Sequence, residues 1–105
     1  MATAFFLRGN ANNPVGLDEF AKCVSEKGAV MYGTYWCSHC TDQKKMFGQS
    51  FQYINYVECS SEIKKCTDDE IEATPTWIFG DGTRNVGKIS LEKISEITGC
   101  ALPQN

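Results

Sequence analysis

The sequence predicts an α/β domain in which helices flank a central mixed β-sheet. Helix-period and strand-like apolar stretches alternate along the chain. A short apolar run from Ala29 to Tyr35 leads straight into Cys37-Ser38-His39-Cys40, and Gly80-Asp81-Gly82 separates two strand-like runs near the end. At 105 residues, 42% hydrophobic and 22% charged, the chain has room for one core and none for a second domain. The net charge is -3, and the basic residues are scattered apart from Lys44-Lys45 and Lys64-Lys65, which excludes an electrostatic footprint for nucleic acid.

Residues 1–16 are expected to form a leader, with a short strand over residues 2–8 and a loop at Asn10-Ala11-Asn12-Asn13-Pro14, ahead of a domain over residues 17–105. The opening apolar run is too short for a signal peptide and no stretch approaches membrane-spanning length, so a soluble domain is expected. Leu17, Phe20, Ala21 and Val24 fall at i, i+3, i+4 and i+7, and Gly28 supplies a stop, predicting a helix over 17–27. Residues 29–35 are a buried central strand by composition, followed by a helix over 38–47 closed by Gly48. Tyr53 to Val57 is a second strand candidate. Ser60 or Ser61 caps a third helix bearing Ile63, Cys66, Glu70 and Ile71, ended by Thr74-Pro75. Residues 76–79 and 83–86 make an antiparallel hairpin, and Ser90 caps a last helix that stops at Gly99.

The stretch Tyr35-Trp36-Cys37-Ser38-His39-Cys40 carries the chemistry. Two cysteines in this spacing at the first turn of a helix can close a disulfide, and the first faces unpaired backbone N–H groups that favour its thiolate. Cys37 is therefore the expected nucleophile and Cys40 the resolving thiol. The alternatives are a structural disulfide or half of a zinc site, for which Cys59, Cys66 and His39 are nominal further ligands. A zinc site needs neither Trp36 nor a buried strand, so dithiol–disulfide exchange is favoured and no metal or other cofactor is expected.

Six cysteines in so short a chain point to an oxidising compartment or a redox role. Cys59 and Cys66 are spaced to staple a strand end to the next helix; a structural disulfide is the favoured reading and a second redox-active pair its rival. Cys23 reads as a small buried hydrophobe, with a bridge as the alternative. Cys100 reads as a tail thiol, and nothing in the spacing argues for pairing it with Cys23.

With Trp36-Cys37-Ser38-His39-Cys40 after a strand and Thr74-Pro75 before a hairpin, the chain resembles the thioredoxin superfamily. The residues Met31-Tyr32-Gly33, Gln43-Lys44-Lys45, Phe47-Gly48, Tyr56-Val57-Glu58-Cys59, Pro75-Thr76-Trp77 and Ser90-Leu91 extend the likeness. Together they resemble the thioredoxin-like domain fused to vitamin K epoxide reductase homologues in bacteria and chloroplasts. The resemblance implies a thioredoxin-like fold and a thiol–disulfide oxidoreductase that exchanges disulfides with protein substrates. It also implies a cis Pro75 beside the CxxC, with the Thr74 backbone offered to a substrate strand. Partners implied are protein dithiols or disulfides, and either a membrane vitamin K epoxide reductase homologue or a thioredoxin reductase-like donor. An extracytoplasmic or lumenal compartment is favoured.

A histidine before the second cysteine, here His39, resembles the periplasmic disulfide-forming oxidases, whose potentials lie near about -120 mV against about -270 mV for thioredoxin. Disulfide formation is thus the favoured direction. Ser38 and His39 would tune the Cys37 thiolate, Trp36 would receive substrate and Trp77 would pack in the core. Where many reducing thioredoxins carry a buried carboxylate this chain has Met31, so proton transfer from Cys40 falls to water or to Lys44 or Glu58. The competing functions are a general thioredoxin- or glutaredoxin-like reductant and a non-catalytic peptide-binding module with structural disulfides.

Overall fold

The computed structural model describes residues 16–103. The expected strand at 2–8 and the loop at 10–14 lie outside the described residues. In chain order the elements are α1 (Asp18–Glu26), β1 (Val30–Gly33), α2 (Ser38–Phe47), a 3-10 segment (Gly48–Tyr53), β2 (Tyr56–Glu58), α3 (Ile63–Asp68), β3 (Thr76–Ile78), β4 (Arg84–Val86) and α4 (Leu91–Thr98). The sheet order is β2-β1-β3-β4. β1 pairs parallel with β2, while β1–β3 and β3–β4 are antiparallel, so the sheet is mixed.

β1 is central because it is apolar on both faces. Met31 joins the larger core with Phe20, Ala21 and Val24 of α1, Phe47 of α2, Trp77 and Phe79. Tyr32 points the other way, toward Val57 and Cys66. This alternation is the two-residue period of a strand covered on both sides. Trp77 is fully buried, with Phe47 and Phe79 ring centroids at 6.1 and 5.8 Å. Gln43 ties α2 to this core: its Oε1 accepts from Trp77 Nε1 at 3.1 Å and from Ile89 N at 2.9 Å, and its Nε2 donates to the Ile89 carbonyl.

Several boundaries differ from the sequence expectation. The first strand ends at Gly33 because Thr34 turns the chain, its carbonyl accepting from Cys37 N. The second strand starts at Tyr56 rather than Tyr53. Residues 48–53 wind into the 3-10 segment, and Ser25 Oγ donates to the Tyr53 carbonyl and accepts from Asn55 N, holding that stretch against α1.

The third helix has Glu62 as its N-cap, without a side-chain cap, because Ser60 Oγ donates to Glu58 instead. It ends at Asp68, well short of Thr74-Pro75. Glu70 takes a positive φ of 59°. Arg84 donates to the carbonyls of Asp69 and Glu70, satisfying acceptors that continued helix would have used. The last helix follows expectation, with Ser90 Oγ accepting from Lys93 N and Gly99 at a φ of 79°.

Cys23 and Cys100 form a disulfide, which corrects the reading of one as a lone buried thiol and the other as a tail thiol. The two are 77 residues apart, and packing of α1 against the end of α4 brings their Cα atoms to 5.9 Å. Ser95 Oγ donates to the Cys100 carbonyl and Cys100 N donates to Thr98 Oγ1, seating Cys100 beneath the helix end. Cys59 and Cys66 form a second disulfide, between the residue after β2 and α3. No helix of the described residues is long and apolar enough to cross a membrane.

Candidate active site

Cys37 is the N-cap of α2, and its Sγ accepts from Cys40 N at 3.2 Å. The turn from β1 into α2 therefore aims the orphan N–H groups of the helix at this sulfur, where they favour negative charge. Burial works to raise the Cys37 thiol, but hydrogen bonds from the Cys40 and Thr74 side chains and from the backbone N–H groups of Cys40 and His39 outweigh it. The thiol is left below the ordinary cysteine range.

Cys40 lies one turn behind, fully buried. Burial and its hydrogen bond to Cys37 push it up to about 11. Both sulfurs are free thiols. The pair is thus asymmetric: the front sulfur is partly exposed and readily ionised, and the rear one is kept protonated.

The Thr74–Pro75 bond is cis. Pro75 is buried, and the Thr74 carbonyl accepts from Cys37 Sγ at 3.5 Å, so the loop entering β3 lies against the nucleophile. Ser38 and His39 are both exposed; the His39 contribution to Cys37 comes through its backbone. Tyr35 and Trp36 are 72% and 65% exposed, edge to face at 4.8 Å, and form an apolar shelf in front of Cys37.

Cys59 and Cys66, bonded to each other, do not converge on the CxxC as zinc ligands. Among the described residues no group of three or more His, Cys, Asp or Glu is placed to hold a metal ion. Met31 is fully buried in the core.

The mixed sheet flanked by helices, with a cis proline beside the CxxC, decides the fold. The chain has a thioredoxin-like fold. This thioredoxin-like domain is 43% identical over 93 residues, 80% of its length, to thiol-disulfide oxidoreductase LTO1 of Arabidopsis thaliana. It spans 24% of that protein's length. A glutaredoxin from Methanosarcina mazei Go1 aligns with a TM-score of 0.49 at 23% identity, covering 68% of this chain and 77% of that one. No family model matches the chain.

Gly33 and Tyr56 fall within the stretches that carry the family likeness, but the sequence assigns neither to the site. A Cβ on Gly33 would lie 2.9 Å from Cys40 Sγ and 3.2 Å from both the Tyr56 hydroxyl and ring edge. Glycine at the end of β1 is what lets the resolving sulfur and a tyrosine approach the same backbone. Only the parallel register, which sets Gly33 opposite Glu58 and Met31 opposite Tyr56, brings them to the site.

Proposed function

We propose that the domain is a thiol–disulfide oxidoreductase that exchanges disulfides with protein substrates and works in the direction of disulfide formation. The observation that carries this reading is the asymmetry of the pair, with Cys37 Sγ capping α2 at 3.2 Å from Cys40 N and Cys40 buried behind it. The 43% identity to a thiol-disulfide oxidoreductase supports it.

Starting from the Cys37–Cys40 disulfide, a substrate thiolate attacks Cys37 Sγ. The Cys37–Cys40 bond breaks, and Cys40 leaves with the electron pair and takes up a proton. A second substrate thiolate then attacks the substrate sulfur of the mixed disulfide and expels Cys37 as thiolate. The substrate is oxidised by two electrons and the CxxC is reduced. Stabilising the Cys37 thiolate makes it a good leaving group and favours the reduced enzyme, the arrangement of a disulfide donor. Thr74 offers backbone groups beside Cys37 to an extended substrate segment, and the Tyr35–Trp36 shelf takes its apolar side chains. The reduced pair would be reoxidised by a disulfide-bearing membrane oxidoreductase of the vitamin K epoxide reductase type.

The test is trapping. Cys40→Ser is expected to accumulate a mixed disulfide between Cys37 and a cysteine-containing protein, seen by mass spectrometry, while Cys37→Ser forms none. Equal adducts on the two variants would contradict the assignment.

A further inference from the structure

The exchange reading leaves one group without a partner in the chemistry. Cys40 is buried and held protonated, yet it must lose its proton each time the Cys37–Cys40 bond forms and regain it each time the bond breaks. Met31, within β1, is buried in the core and cannot exchange a proton.

The side of Cys40 facing Gly33 is different. Cys40 Sγ and the Tyr56 hydroxyl lie 2.9 and 3.2 Å from the same point, the place a Gly33 Cβ would occupy. The Tyr56 hydroxyl donates to Glu58 Oε1 at 2.7 Å, and both residues are partly exposed. The other carboxylate oxygen, Oε2, accepts from Tyr35 N at 3.1 Å and from Ser60 Oγ. From the Tyr56 hydroxyl, which flanks the buried sulfur without hydrogen-bonding to it in this arrangement, polar atoms run to the surface along β2.

We propose that Tyr56 and Glu58 form the proton path of Cys40, an inference that rests on the exchange function proposed above. When Cys40 attacks the mixed disulfide at Cys37, a small side-chain shift brings its S–H to hydrogen-bond distance of the Tyr56 oxygen, and the proton passes to that oxygen. The phenolic proton passes in the same movement to Glu58 Oε1 and from there to solvent. The new bond is Cys40–Cys37, the bond broken is Cys37 to the substrate sulfur, and the substrate leaves as thiolate. In the opposite direction the same path returns the proton to Cys40.

The titratable groups around the path are Cys37, Cys40 and Lys44 from α2 and Glu58 from β2. Lys44 is the rival acceptor, but its ammonium lies over the Tyr56 ring, 4.2 Å from the centroid. There it is engaged with the ring face by a cation–π contact, away from the hydroxyl that bonds Glu58. Burial, the hydrogen bond to Glu58, and the charges of Glu58, Cys40 and Cys37 raise the Tyr56 hydroxyl, so it stays protonated and serves as a relay rather than a sink.

The experiment uses the full chain with both disulfides intact and the CxxC reduced, mixed in stopped flow with dithiobis-nitrobenzoate. Cys37 attack releases a first thionitrobenzoate, and Cys40 attack on the resulting adduct releases a second. Tyr56→Phe and Glu58→Gln are each expected to leave the first release unchanged and to slow the second about 100-fold near neutral pH, the low end of what a positioned acid–base group supplies. The second phase should also shift its pH profile to alkaline values.

Tyr56→Phe keeps the ring and the Glu58–Tyr35 contact, so a slowed second phase in that variant separates proton transfer from loop positioning. A second phase as fast as wild type in either variant, or equal slowing of both phases, overturns the path. A wild-type protein that releases only the first equivalent overturns the exchange function itself, and the path with it.

Discussion

The Cys37 Sγ lies 3.5 Å from the Thr74 carbonyl oxygen, joining the first turn of α2 to the loop entering β3 across 37 residues of chain. This contact makes the nucleophile and the substrate-facing backbone one surface. Separately from this backbone contact, the Thr74 side chain is among the groups that hold the Cys37 thiol below its ordinary range.

Alkylation by iodoacetamide should follow that stabilisation. Cys37 is expected to react with a pH midpoint below the ordinary cysteine range, and Cys40 to stay unreactive until close to about 11. For the reduced fold the signs are opposite. The Cys37 contribution is present above the unfolded-state pKa and is lost as pH falls through the folded value. Cys40 makes the reduced fold lose stability as pH rises from the ordinary cysteine value toward about 11. Peptide mapping of alkylated protein across pH checks both midpoints, and equal labelling of the two cysteines at neutral pH would contradict them.

Gly33→Ala should damage the site from beneath. The new methyl meets Cys40 Sγ at 2.9 Å and Tyr56 at 3.2 Å, closer than a packed core accepts. A loss of about 1–3 kcal/mol is expected by denaturant unfolding, together with slower resolution by Cys40. Unchanged stability and unchanged resolution would mean that α2 shifts without consequence.

Gln43→Ala removes the partner of two buried donors, Trp77 Nε1 and Ile89 N. Leaving them unpaired is expected to cost about 3 kcal/mol, read as a lower denaturation midpoint. A variant as stable as wild type would show that water replaces the amide.

The two disulfides should differ in weight. Replacing Cys23 and Cys100 by alanine opens a loop closed across 77 residues and is expected to cost about 4.5 kcal/mol; the Cys59–Cys66 pair closes a separation of only 7 and is worth about 2 kcal/mol on the same chain-entropy account. Unfolding of the two double variants ranks them, and the reverse order would contradict the entropic account.

Much of this was legible in the sequence because it is local. Helix periods with glycine stops, the hairpin turn and the CxxC after an apolar strand are encoded within a few residues, and so is the Cys59–Cys66 spacing. The Cys23–Cys100 bond was not, since it follows from α1 packing against α4 and no spacing rule covers 77 residues. The end of α3 depended on Arg84, which reaches from β4 to the carbonyls of Asp69 and Glu70 just past the helix. Tyr56 became part of the site only through the parallel register of β1 and β2 and the missing side chain of Gly33. Glu58 was one of two residues the sequence offered for proton transfer, and its 2.7 Å bond with Tyr56 against the ring-stacked Lys44 is what separates them.

The most direct test of the central claim is the reduction potential of the Cys37–Cys40 pair, measured by equilibration in glutathione buffers with the fluorescence of the exposed Trp36 as readout and Cys59→Ser/Cys66→Ser as control. Exchange biased toward disulfide formation predicts a value on the oxidising side, nearer about -120 mV. A value near about -270 mV, that of a general reductant, would contradict it.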